Sequence, residues 1–182
     1  MINYRIDNAN ERQPQVLRVN STHSRFYFDQ TEKTAEGMEE GETYTYWEAK
    51  FIETESTESD PLKLIQKAAI DQITAYDISS AVNEFSYGGF PMWLDKDTRN
   101  GLMMRFTAEE SVGKTETTLW YAGVSFTIGI TDGIAMLKAL EVYASACYDN
   151  TELHKSQVLA MTDPEDVIAF DITAGYPEKL SF

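Results

Sequence analysis

Apolar and polar positions change their period near residue 60. Before it, "QVLRVNS" (15–21), "RFYFDQT" (25–31) and "TYTYWEAKFIET" (43–54) are rich in aromatic and β-branched residues. Phe26 and Phe28 share one face by alternation, as do Tyr44 and Tyr46, so all three runs predict strands. "EGMEEGE" (36–42) reads as a loop between two of them, and "ETESTESD" (53–60) as a linker or an exposed loop without periodicity.

Asp60-Pro61 then predicts a helix start, with Asp as N-cap and Pro at the first helical position. Leu62, Ile65, Ala69, Ile73 and Tyr76 repeat at helical spacing and form its apolar face. "AVNEFSYGGFPMWL" (81–94) reads as strand, Gly88-Gly89 turn, strand. Asp95 predicts the cap of a short helix over 96–104, with Leu102, Met103 and Met104 inward. "TAEE" (107–110) has the capping-box pattern of another short helix. "TTLWYAGVSFTIGIT" (117–131) predicts a second hairpin turning at Ala122-Gly123, with Trp120 and Phe126 as core residues.

From about 132 to 161 the pattern is helical. Leu137, Leu140, Ala144, Cys147, Thr151, His154, Val158 and Met161 step by threes and fours, the spacing of a coiled-coil seam. Thirty residues would span about 45 Å, whereas a compact domain of this size has a radius of gyration of about 16 Å. The helix is therefore expected either to break, at Asp149-Asn150, or to lie against another chain. Leu137, Leu140, Ala144, Cys147, His154 and Val158 are the candidate oligomer seam, with packing against the chain's own domain as the alternative. "TDPE" (162–165) starts a short helix through about Phe170, and "GYPEKLSF" (175–182) reads as irregular. Together the elements predict an α+β fold: a β-rich part over 1–59, then a mixed part over 60–182 with hairpins and a long helix.

Composition narrows the functions. The 182 residues carry a net charge of −15 and 42% hydrophobic residues, enough for a real core. That acidity argues against binding nucleic acid, whose affinity rests on Lys and Arg, and against an anionic membrane surface. It fits a solvated surface, or an acidic inhibitor of a host enzyme. One cysteine, Cys147, excludes an internal disulfide and fits a reducing compartment such as a cytoplasm, or a virion assembled in one. "MINYRIDNANERQPQ" has no apolar core segment, so no secretory signal is expected. No run approaches the ~20 apolar residues of a membrane span.

Candidate chemistry is sparse. Read as an EF-hand loop from Asp95, "DKDTRNG" has Asp97 at position three but Arg99 at five, Asn100 at six and Phe106 at twelve; oxygen ligands, Gly and Glu are needed there. His154 and Cys147 lie on the apolar seam, His23 in a turn or strand edge, and no cysteine pair or nucleophile elbow occurs. No cofactor, no metal and no catalytic residue is expected. Phe85, Tyr87, Phe90 and Trp93 are the candidate contacts for a partner or a sugar ring, with core packing as the alternative.

Four segments carry a resemblance: "AYDISSAVNEF" (75–85), "WLDKDTRNGL" (93–102), "TTLWYAG" (117–123) and "YPEKLSF" (176–182). In this order they resemble a phage-tail-associated domain family of unknown function. That family occurs at the carboxyl ends of tail-fibre proteins and as short free-standing proteins of phages and prophages. The resemblance covers residues from about 74 to the end. It implies a setting, tail or tail-fibre assembly, and partners that are other tail proteins or further copies of the chain. It implies no activity. A carbohydrate-binding tail module would require a cleft lined by aromatics or carboxylates.

Overall fold

The computed structural model of the chain describes residues 1–38 and 41–182. Four strands come first: β1 (Arg5–Ala9), β2 (Val16–Arg18), β3 (His23–Glu36) and β4 (Thr43–Glu55). Next are α1 (Pro61–Asp77), α2 (Ser80–Asn83), β5 (Phe85–Tyr87), β6 (Phe90–Met92) and α3 (Lys96–Ser111). Then follow β7 (Glu116–Tyr121), β8 (Val124–Gly129), α4 (Ile130–Ala160) and α5 (Pro164–Ala169). The fold is α+β. Glu39 and Glu40, in the acidic loop read between two strands, lie outside the described residues.

The residues fall into two compact units. Unit 1 holds Met1–Tyr76 and Glu152–Ala174; unit 2 holds Asp77–Thr151 and Gly175–Phe182. This division differs from the one read at 59/60. A single sheet leaves an apolar face that another layer must cover, and here α1 and residues beyond 152 supply that cover.

Unit 1 is an antiparallel sheet of order β1-β4-β3-β2 with helices on one face. Phe26 and Ile52, opposite each other in register, pack with Leu64, Ile65, Ala69 and Ile73 of α1 and with Val158, Val167 and Ile172. The expected cap is present: Asp60 Oδ1 accepts the N–H groups of Leu62 (2.9 Å) and Lys63 (3.3 Å). Gln66, buried on the same helix, donates from Nε2 to the carbonyls of Val158, Leu159 and Met161 at 3.0–3.3 Å. It thereby satisfies carbonyls that the end of α4 leaves open. The other sheet face buries Tyr27, Ala49 and Phe51. Arg25 roofs it, with its guanidinium 4.4 Å from the Phe51 ring and its Nε donating to Glu53 at 2.8 Å.

Unit 2 joins two hairpins to α3 and the first part of α4. Its core is Phe85, Met92, Leu94, Phe106, Leu119, Ile128, Ile130, Met136, Leu137 and Leu140. Helix α3 runs past 104 to Ser111 because nothing at 105–107 interrupts it. Thr107, read as the cap of a new helix, instead donates its hydroxyl to the Met103 carbonyl one turn back (2.8 Å), as mid-helix threonines do. Leu102 and Met103 are half-buried, but Met104 points outward. The tail is not irregular throughout. Ser86 N–H donates to Leu180 O (3.0 Å) and Phe182 N–H to Ser86 O (2.9 Å), so residues 180–182 lie parallel to β5.

Helix α4 does not break at Asp149-Asn150; it is continuous from Ile130 to Ala160. The polar turn there is engaged. The Thr151 hydroxyl donates to Asp77 Oδ1 (2.8 Å), which makes Tyr176 OH the donor to the Thr151 oxygen (2.8 Å).

The stretch around Asp95 is a helix start. Asp95 Oδ1 accepts Thr98 N–H at 2.7 Å, and Asp97 lies in the first turn. The Thr98 backbone hydrogen bond holds the Asp95 carboxyl below its ordinary 3.8. A depressed carboxyl contributes stability above its unfolded value and loses it as pH falls. The cap is thus complete at neutral pH, and its contribution is lost as pH falls below 3.8 and through the depressed folded-state value. Asp95→Ala is expected to lower the melting temperature by roughly a few degrees, with Asp95→Ser recovering most of it. Circular dichroism melts of the three proteins check this; an unchanged Asp95→Ala melt refutes it.

Candidate functional site

Two hairpins build the site in unit 2. In the first, Gly88 (φ 57°) and Gly89 (φ 84°) both take the left-handed conformation that a tight two-residue turn between twisted strands requires. In the second, Ala122 (φ 48°) and Gly123 (φ 82°) do the same. Alternation along β7 sends Thr117, Leu119 and Tyr121 inward. Their partners Ile128, Phe126 and Val124 stand on the same face. Trp120, expected in the core, therefore points out beside Ser125 and is 74% exposed.

Between the hairpins lies an apolar groove of about 420 Å³. Tyr87, Phe90 and Met92 form one wall, and Tyr121, Val124 and Phe126 the other. The Tyr87 and Phe126 rings are in contact where the two walls meet, with centroids 5.4 Å apart. The Tyr121 hydroxyl accepts Trp93 N–H at 3.1 Å, which ties the walls together. Phe90 is 74% exposed on the rim, Val124 is also exposed, and Trp93 is 42% exposed.

Of the four expected contact residues, the groove brings together Tyr87 and Phe90. Trp93 contributes its backbone N–H to the tie. Phe85 is a core residue, packed edge-on against Phe182 with ring centroids 6.0 Å apart. Tyr121, Val124 and Phe126 were not foreseen as contacts. Period-2 alternation carried through the second hairpin would have put them on one face.

The candidate oligomer seam is occupied within the chain itself. Leu137 and Leu140 are buried in the core of unit 2, and Val158 in that of unit 1. Cys147 is buried and Ala144 half-buried in unit 2. His154 is buried in unit 1 with its ring edge-on to Phe170 at 5.1 Å. The three-four spacing reflects two intramolecular cores met by one long helix, so these residues offer no free seam to another chain. Burial pushes the Cys147 thiol up, away from thiolate chemistry. Burial also pushes the His154 imidazole down, against the upward effects of the Ile172 backbone and Asp171. His23 stands at the start of β3, its Nδ1 2.9 Å from the Thr22 hydroxyl.

Among the described residues, no three His, Cys, Asp or Glu side chains converge to hold a metal ion. No described helix is long and apolar enough to cross a membrane. No protein-family model matches the chain, no curated protein matches it, and no solved structure matches it.

Proposed function

We propose that the protein is a non-catalytic, phage-derived partner of tail-fibre proteins, structural or assisting assembly, and that unit 2 makes the contact through the groove between its hairpins. The groove is the observation that carries this. It gathers aromatic and aliphatic walls, is tied by one hydrogen bond, and leaves Phe90 and Val124 uncovered, a form suited to receiving an apolar anchor. The resemblance supplies the setting, and apart from residues 75 and 76 its four segments all belong to unit 2. The expected occupant is an apolar side chain of another tail protein, flanked by Lys or Arg. A second copy is disfavoured because two chains of −15 each repel.

The test is binding of the purified chain to tail proteins encoded beside it, by biolayer interferometry. Phe90→Ala and Val124→Ala are each expected to weaken binding about tenfold or more. Their melts should match the wild type, since both side chains are exposed. Binding that survives both substitutions overturns the groove. Binding to no tail protein, with a basic host enzyme bound in their place, overturns the tail reading in favour of the inhibitor class.

A further inference from the structure

Unit 1 carries a cleft of about 670 Å³, within the size range of small-molecule sites. It is built from stretches far apart in sequence: residue 4, the loop around 12–15, β3 at 26–30, Lys50 of β4, and the start of α5. We propose that this cleft binds a neutral saccharide. The inference does not rest on the groove or on the tail reading.

The first observation is backbone strain at its wall. The register of β3 against β4 passes from Phe28↔Lys50 to Thr31↔Glu48, so Asp29 and Gln30 both stand opposite Ala49. Asp29 is held at φ 48°, a conformation that favours glycine. Strained bulges of this kind re-aim side chains and collect at functional sites. Here the bulge aims two polar groups. The Gln30 side chain clamps the neighbouring loop, accepting Gln13 N–H (2.8 Å) and donating to Gln13 O (2.9 Å). Lys50 Nζ donates to Asp29 Oδ2 at 2.8 Å. Asp29 Oδ1 has no partner among the described residues, nor does the Gln15 side-chain amide that lines the same cleft. The carboxylate is thus held through one oxygen, while its side chain, 62% exposed, leaves the other open to solvent or to a ligand.

The second observation is an aromatic corner. Tyr4 and Phe28 meet edge to face, with centroids 5.7 Å apart and planes at 83°; Lys50 Nζ covers one face of the Tyr4 ring at 4.9 Å from its centroid, and Tyr4 remains part-exposed. The third is charge. Arg12, Lys50, Asp29, Asp163 and Glu165 all line the cleft, with Lys50 paired to Asp29, so the charges of the walls nearly cancel within a strongly acidic chain. A phosphate finds no uncompensated cation cluster there.

These features fit the chemistry of a sugar. Its hydroxyls donate to a carboxylate oxygen and exchange hydrogen bonds with a carboxamide. The apolar C–H face of its ring packs on an aromatic surface. The neutral ligand needs no net charge in the walls.

Saturation-transfer NMR of the full chain with millimolar maltotriose, lactose and N,N′-diacetylchitobiose tests this. At least one sugar should receive transfer. Asp29→Gly should reduce the signal at least tenfold while melting no lower than wild type, because glycine adopts the same φ without strain. Gln15→Ala, at an exposed position, should reduce it too. Phe90→Ala should leave it intact, which separates this site from the groove. A silent panel, a signal that survives Asp29→Gly, or displacement of the sugar by inorganic phosphate overturns the proposal.

Discussion

Phe106→Ala is expected to cost unit 2 about 3–5 kcal/mol, the range for removing a buried aromatic side chain. Phe106 is 0% exposed, and its ring approaches α4 at Gly133. Gly133 of α4 makes that approach possible. A Cβ placed there would come within 2.5 Å of Phe106 Cε2 and 2.9 Å of its Cζ. Gly133→Ala should therefore cost about 1–3 kcal/mol through overpacking, despite the better helix propensity of alanine. The two effects must couple because the atoms touch. In the Phe106→Leu background, Gly133→Ala should cost less than it does alone. Tryptophan fluorescence during urea unfolding reads this out. In a Trp47→Phe background the remaining Trp93 and Trp120 both belong to unit 2. Additive costs would mean that ring and glycine do not meet.

Leu140→Asp is expected to unfold unit 2 and not to dissociate an oligomer. Leu140 is 6% exposed and lies in the core with Met136 and Leu137. An aspartate there loses the leucine's packing, about 2–5 kcal/mol. It also buries a carboxylate with no partner, which adds several more. Against a typical total of about 5–15 kcal/mol, the unit does not survive. Sedimentation and the unit 2 tryptophan signal are to be read together. A mutant that keeps its fluorescence while dropping in mass from an oligomeric wild type would return the seam to an interface. Val158→Asp should do the same damage to unit 1, since Val158 is fully buried there.

What could be read from the sequence was local. Asp60-Pro61 and Asp95 announce helix starts because a cap is a property of three or four consecutive residues. Gly88-Gly89 and Ala122-Gly123 announce turns for the same reason. The α+β class followed from the change of period. Strand β1 was missed because "RIDNA" carries little alternation; its residues are mostly exposed and it is held by backbone pairing to β4. The "TAEE" box misled because a capping pattern has meaning only where a helix begins, and α3 already ran through it. The seam was real as a pattern, but spacing cannot say whether the partner belongs to the same chain. Half of the groove was legible in one hairpin. The other half needed the second hairpin placed beside it, and the cleft of unit 1 gathers five separate stretches that no local pattern connects.

The discontinuity of unit 1 bears on how the chain is made. Its sheet and first helix are complete by residue 77, yet Val158, Val167 and Ile172 belong to the same buried core. Translation at about 5–20 residues per second delivers the last of them roughly 5–20 seconds after α1 leaves the ribosome. During that interval Phe26, Ile52 and Ile65 lack part of their cover, while residues 77–151 of unit 2 are being synthesised. The nascent sheet is then the species most exposed to aggregation, and a chain stalled between residues 76 and 158 would present that open apolar face to whatever chaperone or protease meets it first.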